Sequence, residues 1–96
     1  MSLIKNPSHP GEVLKELYLV PLEMSAITLS KKLLVPRTRI ERLLRGDTAL
    51  TADTAMRLAK FFSTTPEYWM NLQRAWDLAS VRETTDVSEI KPLIAA

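Results

Sequence analysis

The sequence predicts an all-α fold of five helices followed by a short tail. Three observations carry that reading. Apolar residues recur at three- and four-residue spacing along most of the 96 residues, while the alternation of β-branched residues that marks strands is scarce. Helix start signals, in which a capping residue is followed by proline or an early acid, repeat along the chain. Only two glycines occur, Gly11 and Gly46, one near a helix start and one at a helix end.

The first helix opens at His9-Pro10-Gly11-Glu12, where Pro10 suits the first helical position and Glu12 lies near the positive end of the dipole. Val13, Leu14, Leu17 and Tyr18 share one face, and Pro21 is expected to end the run. Ser25 is the natural N-cap of a second, short helix with Leu29 and Leu33 inward, ending about Leu34. Val35 forms a tight link. Pro36 is placed to start a third helix, in which Ile40, Leu43 and Leu44 recur at core spacing before Gly46 terminates it. Thr51 caps the fourth helix, with Asp53 in its first turn and Ala55, Met56, Leu58, Ala59 and Phe62 as its buried side. After Ser63-Thr64, the signal Thr65-Pro66-Glu67 opens a fifth helix through about Ala79, with Trp69, Leu72, Trp76 and Ala79 on its apolar face. The remainder is more polar but keeps Val87, Ile90, Leu93 and Ile94, and Pro92 forbids a long regular helix there.

This length supports one core and leaves no room for a second. Residues 1–80 therefore read as one domain and 81–96 as a tail that packs on something, most naturally in a dimer. A composition of 46% hydrophobic and 25% charged residues is that of a globular chain. No stretch approaches the roughly 18 apolar residues a membrane span needs, and Met1 to Pro7 has no apolar run of signal-peptide length. A cytoplasmic protein with no membrane partner is expected. Without cysteine there is no disulfide, thiolate metal site or cysteine nucleophile. His9 is the only histidine and reads as a cap or surface residue with no second metal ligand beside it. Carboxylates are dispersed and neither glycine lies in a phosphate-cradling loop, so no catalytic residue, metal or cofactor is assigned.

The net charge of +2 conceals a local excess. Residues 31 to 45 carry six cations against Glu41 alone, a local +5, while the other seven cations and ten acids leave −3 elsewhere. Such a window points to a polyanion-binding face. Two short helices with a tight link, the second rich in cations, form the helix-turn-helix pattern. In that arrangement the N-terminal part of the second helix enters the DNA major groove, which selects Arg37, Thr38 and Arg42 as base readers. Ser25, Lys31, Lys32, Arg39 and Arg45 are assigned to phosphates, which give affinity without choosing sequence. If about six charges engage, log affinity against log salt should slope near −5. A helix-turn-helix that reads DNA as a dimer needs two recognition helices about 34 Å apart. Trp69, Leu72, Trp76, Ile90 and Leu93 are the expected dimer surface.

Several stretches sharpen this reading: His9-Pro10-Gly11-Glu12, Leu29 to Leu33, Ile40 to Gly46, Ala49-Leu50-Thr51 and Thr65 to Gln73. Together they resemble the HigA-type antitoxins, a branch of the XRE-like helix-turn-helix regulators, over roughly residues 9 to 80. The resemblance implies a five-helix XRE/lambda-repressor-like domain that dimerises and binds its own double-stranded operator DNA. It also implies neutralisation of a co-transcribed small basic toxin similar to the RelE-like mRNA endonucleases. The family's recognition positions fall on Arg37, Thr38 and Arg42. Two departures stand out: Leu34 occupies the turn position commonly held by glycine, and Asp47 begins a loop that is often basic. The alternatives are a stand-alone repressor without a toxin and, from another class, a module whose basic face docks an acidic protein. An enzyme ranks last.

Overall fold

The computed structural model describes residues 7–94, so the opening stretch Met1 to Asn6, read above for a leader, lies outside the described residues. Every regular element among the described residues is helical. The first helical body comes in three pieces: α1 (Pro10–Leu14), a π-helical turn (Lys15–Leu19) and α2 (Val20–Leu22). Four more follow, α3 (Ala26–Leu33), α4 (Arg37–Arg45), α5 (Ala52–Phe62) and α6 (Pro66–Arg82), giving the expected five bodies. No helix is long and apolar enough to cross a membrane among the described residues.

The caps are where the sequence signals put them. His9 Nδ1 accepts the Gly11 N–H at 2.9 Å, which makes the lone histidine a helix cap. Ser25 Oγ accepts from Thr28 N–H at 3.1 Å, and Thr65 Oγ1 from Tyr68 N–H at 3.1 Å. Thr51 caps α5 in the same way through Thr54 N–H. Each fills one of the donors a helix start leaves without an internal partner.

Pro21 does not end the first body but sits inside α2. The π turn accounts for this: Val20 N–H reaches Lys15 O, five residues back, and loosens the ladder beside a residue with no N–H to give. The run stops instead at Glu23, in the left-handed region at φ 52°. The wider turn also shifts the buried face. Leu14 and Leu19, five apart, are both buried, and Leu17, expected on that face, is 64% exposed.

The core joins Leu14 and Leu19 to Leu29 and Leu33 of α3, Ile40 and Leu43 of α4, Leu50 of the loop before α5, Ala55, Leu58 and Ala59 of α5, and Trp69 of α6. Helix α3 packs on α4 and α5, α1 on α4 and α6, and α5 on α6. On α5 the buried stripe is Thr54, Ala55, Leu58 and Ala59. Met56, expected inward, lies beyond its edge and is 61% exposed.

Helix α6 runs three residues past the expected Ala79, and only Trp69 and Gln73 in its N-terminal half are fully buried. Trp69, assigned by sequence to a dimer surface, is wholly enclosed by its own chain. Its Nε1–H donates to Thr64 Oγ1 at 2.7 Å and its ring meets Tyr18 at 5.1 Å, so it has no face to offer a second copy. The first turns of α6 lie under α5 and the first helical body, and only the C-terminal half is open. Gln73 accepts the Leu50 N–H at 2.7 Å and donates to Asp77 at 2.8 Å, which ties the loop before α5 to α6.

Candidate nucleic-acid interface

The geometry of the cationic face starts at the turn between α3 and α4. Leu34 adopts the left-handed conformation at φ 60°, ψ 45°, at the cost of roughly 1–2 kcal/mol that a side chain brings there. The turn closes with Leu34 N–H to Lys31 O at 3.3 Å and Val35 N–H to Ser30 O at 3.0 Å, the paired bonds of a Schellman end. Pro36 then stands in extended backbone at ψ 145° as the cap position, so α4 begins at Arg37, one residue later than the sequence suggests. From α5, Arg57 Nη1 donates to Leu33 O at 2.9 Å and Leu34 O at 3.4 Å and satisfies carbonyls the α3 end leaves open.

On α4 the apolar side, Ile40 and Leu43, is buried, and Arg37, Thr38, Arg39, Arg42 and Arg45 all stand on the surface. The helix ends at Gly46, whose φ of 77° suits a residue without a Cβ, and Asp47 N–H closes on Arg42 O at 2.9 Å. Thr38 and Arg42 line one cleft together with Arg39, Thr48, Ala49 and Thr51. Arg37 lies outside that lining, paired with Glu41 at 3.3 Å.

The residues assigned to phosphates fall into two groups. Lys31 and Lys32 are exposed on the last turn of α3, and Ser25 is exposed at its start with its hydroxyl engaged in the cap. Arg39 and Arg45 are held by acids instead: Arg39 donates to Asp53, and Arg45 Nε donates to Asp47 Oδ2 at 2.9 Å. Asp53 also accepts from Arg57 Nε at 2.9 Å. These hydrogen bonds, from Arg57 first and Arg39 second, hold the Asp53 carboxyl below the usual carboxylate range. The sequence reading missed Arg57 and the bridging role of Asp53. Their four-residue spacing marks a helical ion pair, but the reach of Arg57 to a turn 24 residues away leaves no sequence signal.

Comparison with known proteins agrees with the helix-turn-helix fold. A helix-turn-helix family model matches residues 14–69. Virulence-associated protein I of Dichelobacter nodosus is 46% identical over 70 residues, which are 73% of this chain and 65% of that relative. The chain thus spans just under two thirds of that relative's length. A solved structure described as an addiction module antidote protein of the HigA family, from Coxiella burnetii, is 44% identical with a TM-score of 0.86, covering 91% of this chain and 98% of its own. Pseudomonas aeruginosa antitoxin HigA, solved with the higBA promoter, is 33% identical with a TM-score of 0.88, covering 93% of this chain and 100% of its own. The chain belongs to the helix-turn-helix family, within its HigA antitoxin branch.

Proposed function

We propose that this chain is a sequence-specific DNA-binding antitoxin that represses its own operon and neutralises a RelE-like, mRNA-cleaving toxin. The observation that carries the DNA reading is the exposed face of α4, with Thr38 and Arg42 in one cleft. It stands on a scaffold similar to that of a HigA whose structure includes promoter DNA. Arg37 and Arg42 have the planar donor fork that matches the O6 and N7 edge of guanine, and Thr38 suits a thymine methyl or a base acceptor. Ser25, Lys31, Lys32, Arg39 and Arg45 meet phosphates on either side.

The reading includes a homodimer. Beyond Trp69, apolar side chains of the C-terminal half of α6 and of the tail stand open among the described residues: Leu78, Val81, Ile90 and Leu93 are exposed, and Trp76, which meets His9, is 37% exposed. Leu72 is half-buried against the core. A second copy covering this surface removes it from water and sets two α4 helices for adjacent turns of one DNA face.

The test is to express the tagged chain together with its native flanking reading frames and identify what co-purifies in stoichiometric amount. A small basic protein that is toxic when expressed alone establishes the antitoxin role. No partner, with retention of the chain's own upstream DNA, makes it a stand-alone repressor. Failure to bind that DNA removes the reading.

A further inference from the structure

Three of the four arginines on α4 are already paired with acids of the same chain. Arg37 Nε lies 3.3 Å from Glu41, Arg45 Nε lies 2.9 Å from Asp47, and Arg39 is bonded to Asp53 of α5. Among the described residues Arg42 is the α4 arginine without such an acid. All of these pairs are open to solvent, and exposed pairs contribute little to folding. Their placement on the cationic face, where DNA would lie, gives them a different consequence.

We propose that Glu41, Asp47 and Asp53 act as internal counterions that stand in for phosphate in the free protein, and that Glu41 and Asp53 so set the specificity of DNA binding. The inference rests on the DNA-binding reading above. A carboxylate offers a guanidinium two oxygens in much the way a phosphate does. When a paired arginine moves to the DNA backbone, one charged contact replaces another, and the released acid is left facing phosphates of its own sign. Random DNA is bound almost entirely through that exchange, so it gains little from these arginines.

The operator offers more. On a guanine, Arg37 exchanges Glu41 for two base-edge acceptors, a gain random sequence lacks. Asp53 acts at Arg39 as a positioning residue as well as a counterion. It ties Arg39 to Arg57, and Arg57 to the carbonyls of Leu33 and Leu34, so Arg39 is aimed relative to the turn before DNA arrives. A complex in correct register uses that aim, and a loosely held one does not. Glu41 and Asp53 thus penalise non-specific complexes more than the specific one, whereas Asp47, whose Arg45 meets phosphate in either complex, weakens both alike.

The test compares Glu41→Gln, Asp47→Asn and Asp53→Asn with the unmutated protein on two short duplexes, one from upstream of its coding sequence and one scrambled. Glu67→Gln, an exposed acid of α6 without an arginine partner among the described residues, is the control. Each acid removed from the face should raise affinity for the scrambled duplex about fivefold at physiological salt and steepen its salt slope by up to about 0.9. For Glu41→Gln and Asp53→Asn, affinity for the upstream duplex should change less than about twofold, so the specificity ratio falls; Asp47→Asn should raise both affinities alike, and Glu67→Gln should leave both unchanged. Melting curves establish that each variant is folded. If the unmutated protein prefers its upstream DNA and Glu41→Gln and Asp53→Asn keep that ratio, the counterion inference is overturned. If the unmutated protein shows no preference, the DNA reading itself falls.

Discussion

The carbonyl oxygen of Leu43 lies 1.8 Å from the point where a Cβ on Gly11 would stand, so α1 and α4 touch backbone to backbone. The His-Pro-Gly-Glu opening is therefore a packing device: His9 caps α1 and sets its ring edge-on to Trp76 at a centroid distance of 5.3 Å, and Gly11 lets the helix start lie against α4. Gly11→Ala must separate the two helices. The expected loss is about 2–3 kcal/mol, a fall of roughly 10–20 °C in the thermal midpoint. Circular dichroism melts decide it, and a variant melting within a degree or two of the parent would deny the close approach.

Leu34 gives a prediction of opposite sign. Its side chain is 82% exposed, so it contributes little packing, while its backbone carries the left-handed penalty. Leu34→Gly should stabilise the fold by about 1 kcal/mol and raise the midpoint by roughly 5 °C. The bonds from Arg57 run to backbone oxygens of Leu33 and Leu34 and survive the change. Destabilisation on melting would mean that the leucine side chain has a partner.

How much of this was legible in the sequence depends on how local each cause is. Ser25, Thr51, Thr65 and Gly46 act within four residues of themselves, and the sequence names all four correctly. The π turn depends on how the first helical body packs. Periodicity therefore puts Leu17 inside, whereas the widened turn buries Leu19. Trp69 and Trp76 lie two turns apart on one helix face, and the pattern alone does not distinguish the one under α5 from the one beyond it. The candidate site divides the same way. Its arginines can be counted from the sequence, but the acids that hold Arg39 and Arg45 are known only once α5 and the Gly46 turn are placed.

Base readers and phosphate contacts separate by their response to DNA sequence. Arg42→Ala should cost about 1–3 kcal/mol on the preferred upstream duplex and leave a scrambled duplex nearly unaffected. Lys31→Ala should weaken both duplexes alike and make the salt slope shallower by about 1. Titrations of both duplexes at several salt concentrations decide the assignment. Equal losses from Arg42→Ala on the two DNAs would remove base readout from that residue.

Tyr18 makes the fold sensitive to alkali. Burial first, then its hydrogen bond to Tyr68 at 3.3 Å, pushes its phenol up to about 12 from an ordinary 10.0. A raised value means that the folded state favours the neutral phenol. Its contribution is complete below about pH 10 and drains away as pH rises from 10 towards 12. Urea titrations across that window should show stability falling with pH, and Tyr18→Phe should flatten the fall. An unchanged slope in Tyr18→Phe would place the alkaline sensitivity elsewhere.

The dimer surface is tested by two residues that differ in what they owe to their own chain. Leu93 is 100% exposed, so the single chain loses nothing when it changes. Trp76 meets the His9 ring in a T-shaped contact and is 37% exposed, so its loss strikes both the fold and any interface. Leu93→Asp should weaken self-association at least tenfold by sedimentation and leave the midpoint of the dilute, dissociated protein where it was. Trp76→Ala should weaken association and lower that midpoint as well. Because a dimer's melting rises with protein concentration, the parent's concentration dependence should be lost in Leu93→Asp. A parent that sediments as a monomer at micromolar concentration, or a Leu93→Asp variant that associates as the parent does, would take the tail out of the interface.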